Sequence, residues 1–190
     1  MFCSRCGAGL RPMDARSFPL GGAEMVFGNE CGWLFLEQLI ETPNNELIVV
    51  IAPTKQVETS PDSLDYVEDE RVREVLLKTT EIVPDDSEQY RICFVGYIMY
   101  LSRDEGHARV DDDEICIGQG LVFYEKSKLL DSIGEFIWID AAIAVQGTTA
   151  KGELRKLRHY GVYTLNNIID VITFHEPTIE KISRPDPACF

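Results

Sequence analysis

The sequence predicts a β-dominated α+β domain: an antiparallel sheet, sandwich-like or partly closed into a barrel, with one or two short helices. Three stretches carry that expectation. Tyr90–Arg103 (YRICFVGYIMYLSR) is apolar on both faces when read at period two. Tyr90, Ile92, Phe94, Ile98 and Tyr100 fall on one face, and Cys93, Val95, Tyr97, Met99 and Leu101 on the other. A strand of this kind needs cover on both sides, so it is predicted as the central strand. Residues 33–52 read as a β-hairpin, with Thr42-Pro43-Asn44-Asn45 as its turn. Tyr160–Phe174 is the last strongly patterned run, apolar with interleaved Asn166, Asn167 and Asp170.

In chain order, residues 1–22 are rich in Gly and Pro and lack any period, so an irregular leader is expected. The hairpin follows. Residues 53–70 hold Glu58, Asp62, Asp65, Glu68, Asp69 and Glu70, which predicts an acidic surface loop with a short helix near Asp62–Val67. Val72–Val83 is predicted as a strand, closed by the turn Pro84-Asp85-Asp86-Ser87 before the central strand. Residues 104–114 form a second acidic turn, and Gly120–Glu125 reads as a strand. Ser127 is placed to cap a short helix over Lys128–Ile133. The apolar run 136–146 fits strand somewhat better than helix. Residues 23–182 are expected to form a single β-rich domain, and 183–190 a Pro-rich tail.

Composition bounds the function. The 190 residues carry a formal charge of −14, which opposes binding to phosphate backbones and anionic lipid. It would steer a basic protein toward the surface instead. There is no apolar run of bilayer length and no apolar signal region at the amino terminus, so a cytoplasmic protein is expected. Cysteines at 3, 6, 31, 93, 116 and 189 do not read as a disulfide framework without a secretory context. Cys3 and Cys6 have the spacing of one zinc knuckle, but a tetrahedral site needs two further ligands at a matching spacing. No cofactor is expected, with zinc at Cys3 and Cys6 as the alternative.

Polar groups inside apolar runs are the candidate site residues, because a buried polar group must find a partner. His159, Tyr160, Asn167 and Asp170 are singled out on that basis. The plainer reading makes Asn166-Asn167 a turn and pairs Asp170 with Arg158 or a backbone amide. One concentrated basic patch, Lys151 to His159, precedes the last patterned run.

The segments YRICFVGYIMYLSRDE, GLVFYEKSKLLDSI and LRHYGVYTLNNIIDVITFHEPTI together resemble a family of small bacterial proteins without an assigned activity. The resemblance covers the last two-thirds of the chain. It implies a bacterial, cytoplasmic, single β-rich domain, and it adds Lys126 and Ser127 to the candidates by placing Lys126, Ser127, His159, Tyr160, Asn167 and Asp170 in its recurrent motifs. No activity comes with it. The residues favour an acidic protein-interaction module, able to neutralise a basic partner. The alternative is a small-ligand binder or enzyme using a site around His159 and Asp170. A zinc-dependent adaptor is third.

Overall fold

The computed structural model describes residues 33–107, 112–136 and 156–183. The expectations for the leader with Cys3 and Cys6, for the apolar run from residue 137, for residues 151–155 of the basic patch and for the tail beyond 183 lie outside those residues. The described strands form two five-stranded antiparallel sheets packed face to face.

Sheet I opens with the expected hairpin, β1 (Leu34–Thr42) and β2 (Glu46–Glu58). The turn closes because Asn45 takes a left-handed φ of 58° and the Thr42 carbonyl accepts from its N–H at 3.2 Å. In β2, Leu47, Val49 and Ile51 point into the core at period two, while Val50 and Ala52 on the other face are buried as well. The sheet order is β1-β2-β4-β10, with β4 (Gln89–Val95) and β10 (Thr178–Ile182) completing that path. β3 (Thr80–Pro84) pairs with the outer half of β2.

Tyr90–Arg103 is not one central strand. It breaks at Gly96, whose φ of 63° is left-handed, into β4 of sheet I and β5 (Tyr97–Arg103) of sheet II. β4 is interior, as expected, but β5 is an outer strand. Period-two patterning passes unbroken through the glycine, so the change of sheet leaves no mark on it. The Gly96 N–H donates to the Asn45 carbonyl at 2.8 Å, which ties the crossover to the β1–β2 turn.

Sheet II runs β5-β9-β8-β7-β6. Its further strands are β6 (Ile115–Gln119), β7 (Leu121–Lys126), β8 (Arg158–Tyr163) and β9 (Ile168–Thr173). The inner face offers Leu121, Tyr160, Val162, Ile169 and Val171 to Leu34, Leu47, Val49, Ile51, Ile92 and Phe94 of sheet I. Tyr160 sits at the centre, its ring 5.9 Å from Phe94 and 5.5 Å from Phe123. A polar clamp joins the sheets at the β8–β9 turn. Asn166 Oδ1 accepts from Leu36 N–H at 2.9 Å, and its Nδ2 donates to the Leu36 carbonyl at 3.0 Å.

The predicted strand Val72–Val83 is instead helix α1 (Glu70–Leu76) followed by β3. Asp69 decides it: its carboxylate accepts from the N–H groups of Arg71 and Val72, which would otherwise be unpaired at a helix start. The expected loop 53–70 is also shorter than read, since β2 continues to Glu58 before a 3₁₀ turn at Asp62–Leu64. β2, β3 and α1 thus make an arm beyond the paired body of sheet I. Helix α2 (Lys128–Phe136) follows Ser127 as expected and packs against β8. Among the described residues no helix is long and apolar enough to cross a membrane.

Candidate functional site

The outer face of sheet II carries a chain of polar side chains under α2. Antiparallel register builds it. Gly161 lies opposite Asp170 and His159 opposite Ile172, so His159 and Asp170 are diagonal neighbours on one face. Tyr124 of β7 lies directly opposite His159. Leu101 of β5 lies opposite Asp170, and Arg103, two residues on, reaches the same carboxylate.

The contacts run in series. Ser127 Oγ lies 2.7 Å from His159 Nδ1, and His159 Nε2 lies 3.1 Å from Asp170 Oδ1. Arg103 donates to Asp170 Oδ2 from Nη2 at 2.6 Å and from Nε at 2.9 Å. Ser127, His159 and Asp170 are 4%, 2% and 2% exposed, whereas the Arg103 side chain reaches solvent at 38%. A carboxylate only accepts, so His159 Nε2 donates to Asp170, and in the neutral imidazole Nδ1 then accepts from the Ser127 hydroxyl. Ser127 Oγ in turn accepts the Leu130 N–H at 3.0 Å as the cap of α2. Each donor in the chain meets an acceptor.

Tyrosines enclose it. The Tyr124 ring stacks on the His159 imidazole at 3.9 Å and 4°, and its hydroxyl bonds to that of Tyr163. Gly161 makes this arrangement possible, because a Cβ there would lie 2.9 Å from the Tyr163 ring and 3.2 Å from that of Tyr124. Burial, with the neighbouring tyrosine, pushes the Tyr124 hydroxyl well above its ordinary pKa, and burial pushes Tyr163 up to about 12. Burial alone would lower the Arg103 pKa, but the Asp170 charge and hydrogen bond outweigh it and raise it.

Three of the six residues singled out in the sequence, Ser127, His159 and Asp170, therefore converge. The other three do not join them. Lys126 is exposed at the end of β7. Tyr160 points to the opposite face and fills the core. Asn167 belongs to the β8–β9 turn, its backbone bonded to Thr164, which is the plainer reading of that pair. The expected partner of Asp170 is corrected from Arg158 to Arg103 and His159. Arg158 pairs with Glu176 at 2.5 Å instead. Sequence reading missed Arg103, Tyr124 and Tyr163. Only the register brings them to Asp170 and His159.

Serine, imidazole and carboxylate are the atoms of an acyl-transfer nucleophile, but their arrangement differs from that template. The serine meets Nδ1 and the carboxylate meets Nε2, the reverse of the working order in serine proteases. Ser127 spends its proton on His159 and a lone pair on the α2 cap. As it stands, the chain holds α2 onto sheet II.

The second feature is the arm. α1 has no buried residue, and Tyr66, Val72, Val75 and Leu77 are 79%, 47%, 62% and 39% exposed. Val72 and Val75 are three apart and share a helix face. Residues 58–81 hold eight carboxylates and three cations. Leu64, 3% exposed, anchors the arm, and Arg73 Nη2 donates to the Val67 carbonyl at 2.7 Å.

Among the described residues no cluster of three or more His, Cys, Asp and Glu side chains is placed to hold a metal ion. Comparison of the chain with protein-family models, with curated proteins and with solved structures gives no match in any of the three.

Proposed function

We propose that the protein is an acidic interaction module that docks a basic protein through the arm formed by residues 58–81. The observation that carries this reading is α1, a helix with no fully buried residue, which half-buries Arg73 and Leu76 yet presents Val72 and Val75 to solvent beside Tyr66 and Leu77. A surface helix normally spends its apolar face on its own core. Exposed apolar side chains rimmed by charge have the make-up of a docking surface: the apolar groups supply affinity, and the rim supplies steering and choice of partner. Here the rim is acidic and the whole chain is at −14, so the fitting partner is basic, not a nucleic acid or an anionic membrane.

The test is affinity capture from the source lysate, followed by purification of the captured protein and titration against the full chain. The expected partner is basic and binds more weakly as salt rises. Tyr66→Ser combined with Val75→Ser should weaken binding about 10- to 100-fold, the effect of removing interface anchors. The melting temperature should barely move, since both side chains are exposed. Full affinity in that variant would refute the arm as the docking surface.

The convergence of Ser127, His159 and Asp170 favours a second reading, a small-ligand binder or enzyme. It requires the chain to open, so that Ser127 exchanges its helix cap for a substrate. Labelling of Ser127 by a fluorophosphonate, lost in His159→Phe, would move the weight to it.

A further inference from the structure

Helix α1 is too short to stand alone. An isolated helix below about 12–15 residues is marginal in water, and α1 runs only from Glu70 to Leu76. Packing of an apolar face usually makes up the difference, but here only Arg73 and Leu76 are half-buried. What holds the helix is polar and sits at both ends. At the first turn, Asp69 accepts from the N–H groups of Arg71 and Val72. At the last, the Leu76 carbonyl accepts from Thr79 N–H at 2.9 Å and from Thr79 Oγ1 at 2.7 Å. The Thr79 carbonyl in turn accepts from Thr59 N–H at 3.3 Å and from Thr59 Oγ1 at 2.9 Å. Thr59 follows β2 and Thr79 precedes β3, so this pair latches residues 60–78 into a closed loop.

The loop is wired to itself and not to the sandwich. Among the described residues, the hydrogen bonds of residues 60–78 all end within residues 59–81. β4 pairs with β2 only as far as Ile51, whereas β3 pairs with Thr54–Glu58, so a two-stranded ribbon carries the loop. Leu64 is the one fully buried side chain between residues 60 and 78, and Arg73 Nε is buried there without a hydrogen-bond partner. A segment with little buried apolar surface and an unpaired polar atom lies at the low-stability end of a structure. We infer, on the reading that this arm is the docking surface, that the arm opens and closes as a unit while the sandwich stays folded, and that the Thr59–Thr79 latch sets the closed fraction from which docking occurs. Val72 and Val75 share a face only while α1 is helical. A partner that reads them together binds the closed arm, so its apparent affinity falls as the closed fraction falls. Thr59 and Thr79 are positioning residues, acting through α1.

Hydrogen exchange of the full chain tests the latch without any partner. The amides of Arg73, Leu77, Lys78 and Thr79 should exchange through one shared opening, well ahead of Val49 and Ile92 in the core. Thr59→Val combined with Thr79→Val keeps the side-chain shape and removes the hydroxyl donors. It should raise that opening about 10- to 100-fold, the worth of two hydrogen bonds, with the core amides and the melting temperature unchanged. Thr59→Ser combined with Thr79→Ser retains the donors and should exchange like wild type. Titrated against the captured basic protein, the valine variant should lose affinity by the factor by which its closed fraction falls, and the serine variant should keep it. Wild-type exchange in the valine variant, or arm amides that exchange only together with the core, would overturn the latch. Full affinity in a valine variant whose arm stands open would overturn its link to docking. Full affinity in the Tyr66→Ser, Val75→Ser variant is a different failure, since it removes the docking surface and leaves the exchange result in place.

Discussion

Replacing Asp170 with alanine removes the acceptor that both ends of the buried chain depend on. Asp170 receives Arg103 Nη2 at 2.6 Å, Arg103 Nε at 2.9 Å and His159 Nε2 at 3.1 Å. The two cationic donors can recover, because the Arg103 side chain is 38% exposed and can turn into water. His159 cannot, with its side chain only 3% exposed. Its Nε2 is left without a partner in either tautomer, which costs about 1–3 kcal/mol. Adding the lost charge-assisted bonds to Arg103 brings the expected loss to about 2–4 kcal/mol, at or below the ~3–5 kcal/mol seen when a fully buried pair is broken. For a chain of this size that is a fall in melting temperature of roughly 5–15 °C. Urea unfolding followed by circular dichroism gives the free energy directly. Combining Asp170→Ala with His159→Phe should cost clearly less than the two single changes added together, because they remove one shared interaction. A melting temperature equal to wild type in Asp170→Ala, or full additivity in the double variant, would refute the chain as a coupled unit.

Further outcomes follow from the same geometry. Phe94→Asp places an unpaired charge at a fully buried position between the sheets and should abolish soluble folding; a well-folded soluble variant would mean that the core lies elsewhere. Tyr124 and Tyr163 ionise above the ordinary 10, Tyr163 at about 12, so their neutral hydroxyls stabilise the fold fully below pH 10. That contribution is lost as pH rises through 12, and the Tyr124→Phe, Tyr163→Phe double variant should lose stability less steeply with pH across this window in alkaline melts. Asn166→Ala removes both hydrogen bonds to Leu36 and the one from Thr164, should cost about 1–3 kcal/mol, and should speed amide exchange at Leu36. Unchanged exchange there would show that the clamp does not hold the sheets together.

Features set by neighbours in sequence were legible from the sequence. The β1–β2 turn was written in Pro43-Asn44-Asn45, and α2 in the Ser127 cap. His159 and Asp170 stood out as polar residues within or beside an apolar run and Ser127 as a helix cap, and they do meet. Features set by partners far along the chain were not legible. The break at Gly96 leaves period two intact, so two strands in two sheets read as one. VREVLLK fits either period, and the arbiter is the Asp69 carboxylate on two backbone N–H groups. Arg103 as the partner of Asp170 depends on the β5–β9 register, which no local pattern encodes.

Hydrogen exchange of the full chain, alone and saturated with the captured basic partner, addresses the docking claim most directly. Amides of residues 58–81 should gain protection on binding, with those of β7, β8 and β9 around Ser127, His159 and Asp170 unchanged. Protection confined to that second face, with the arm unaffected, would contradict the account and favour a site built on the buried chain.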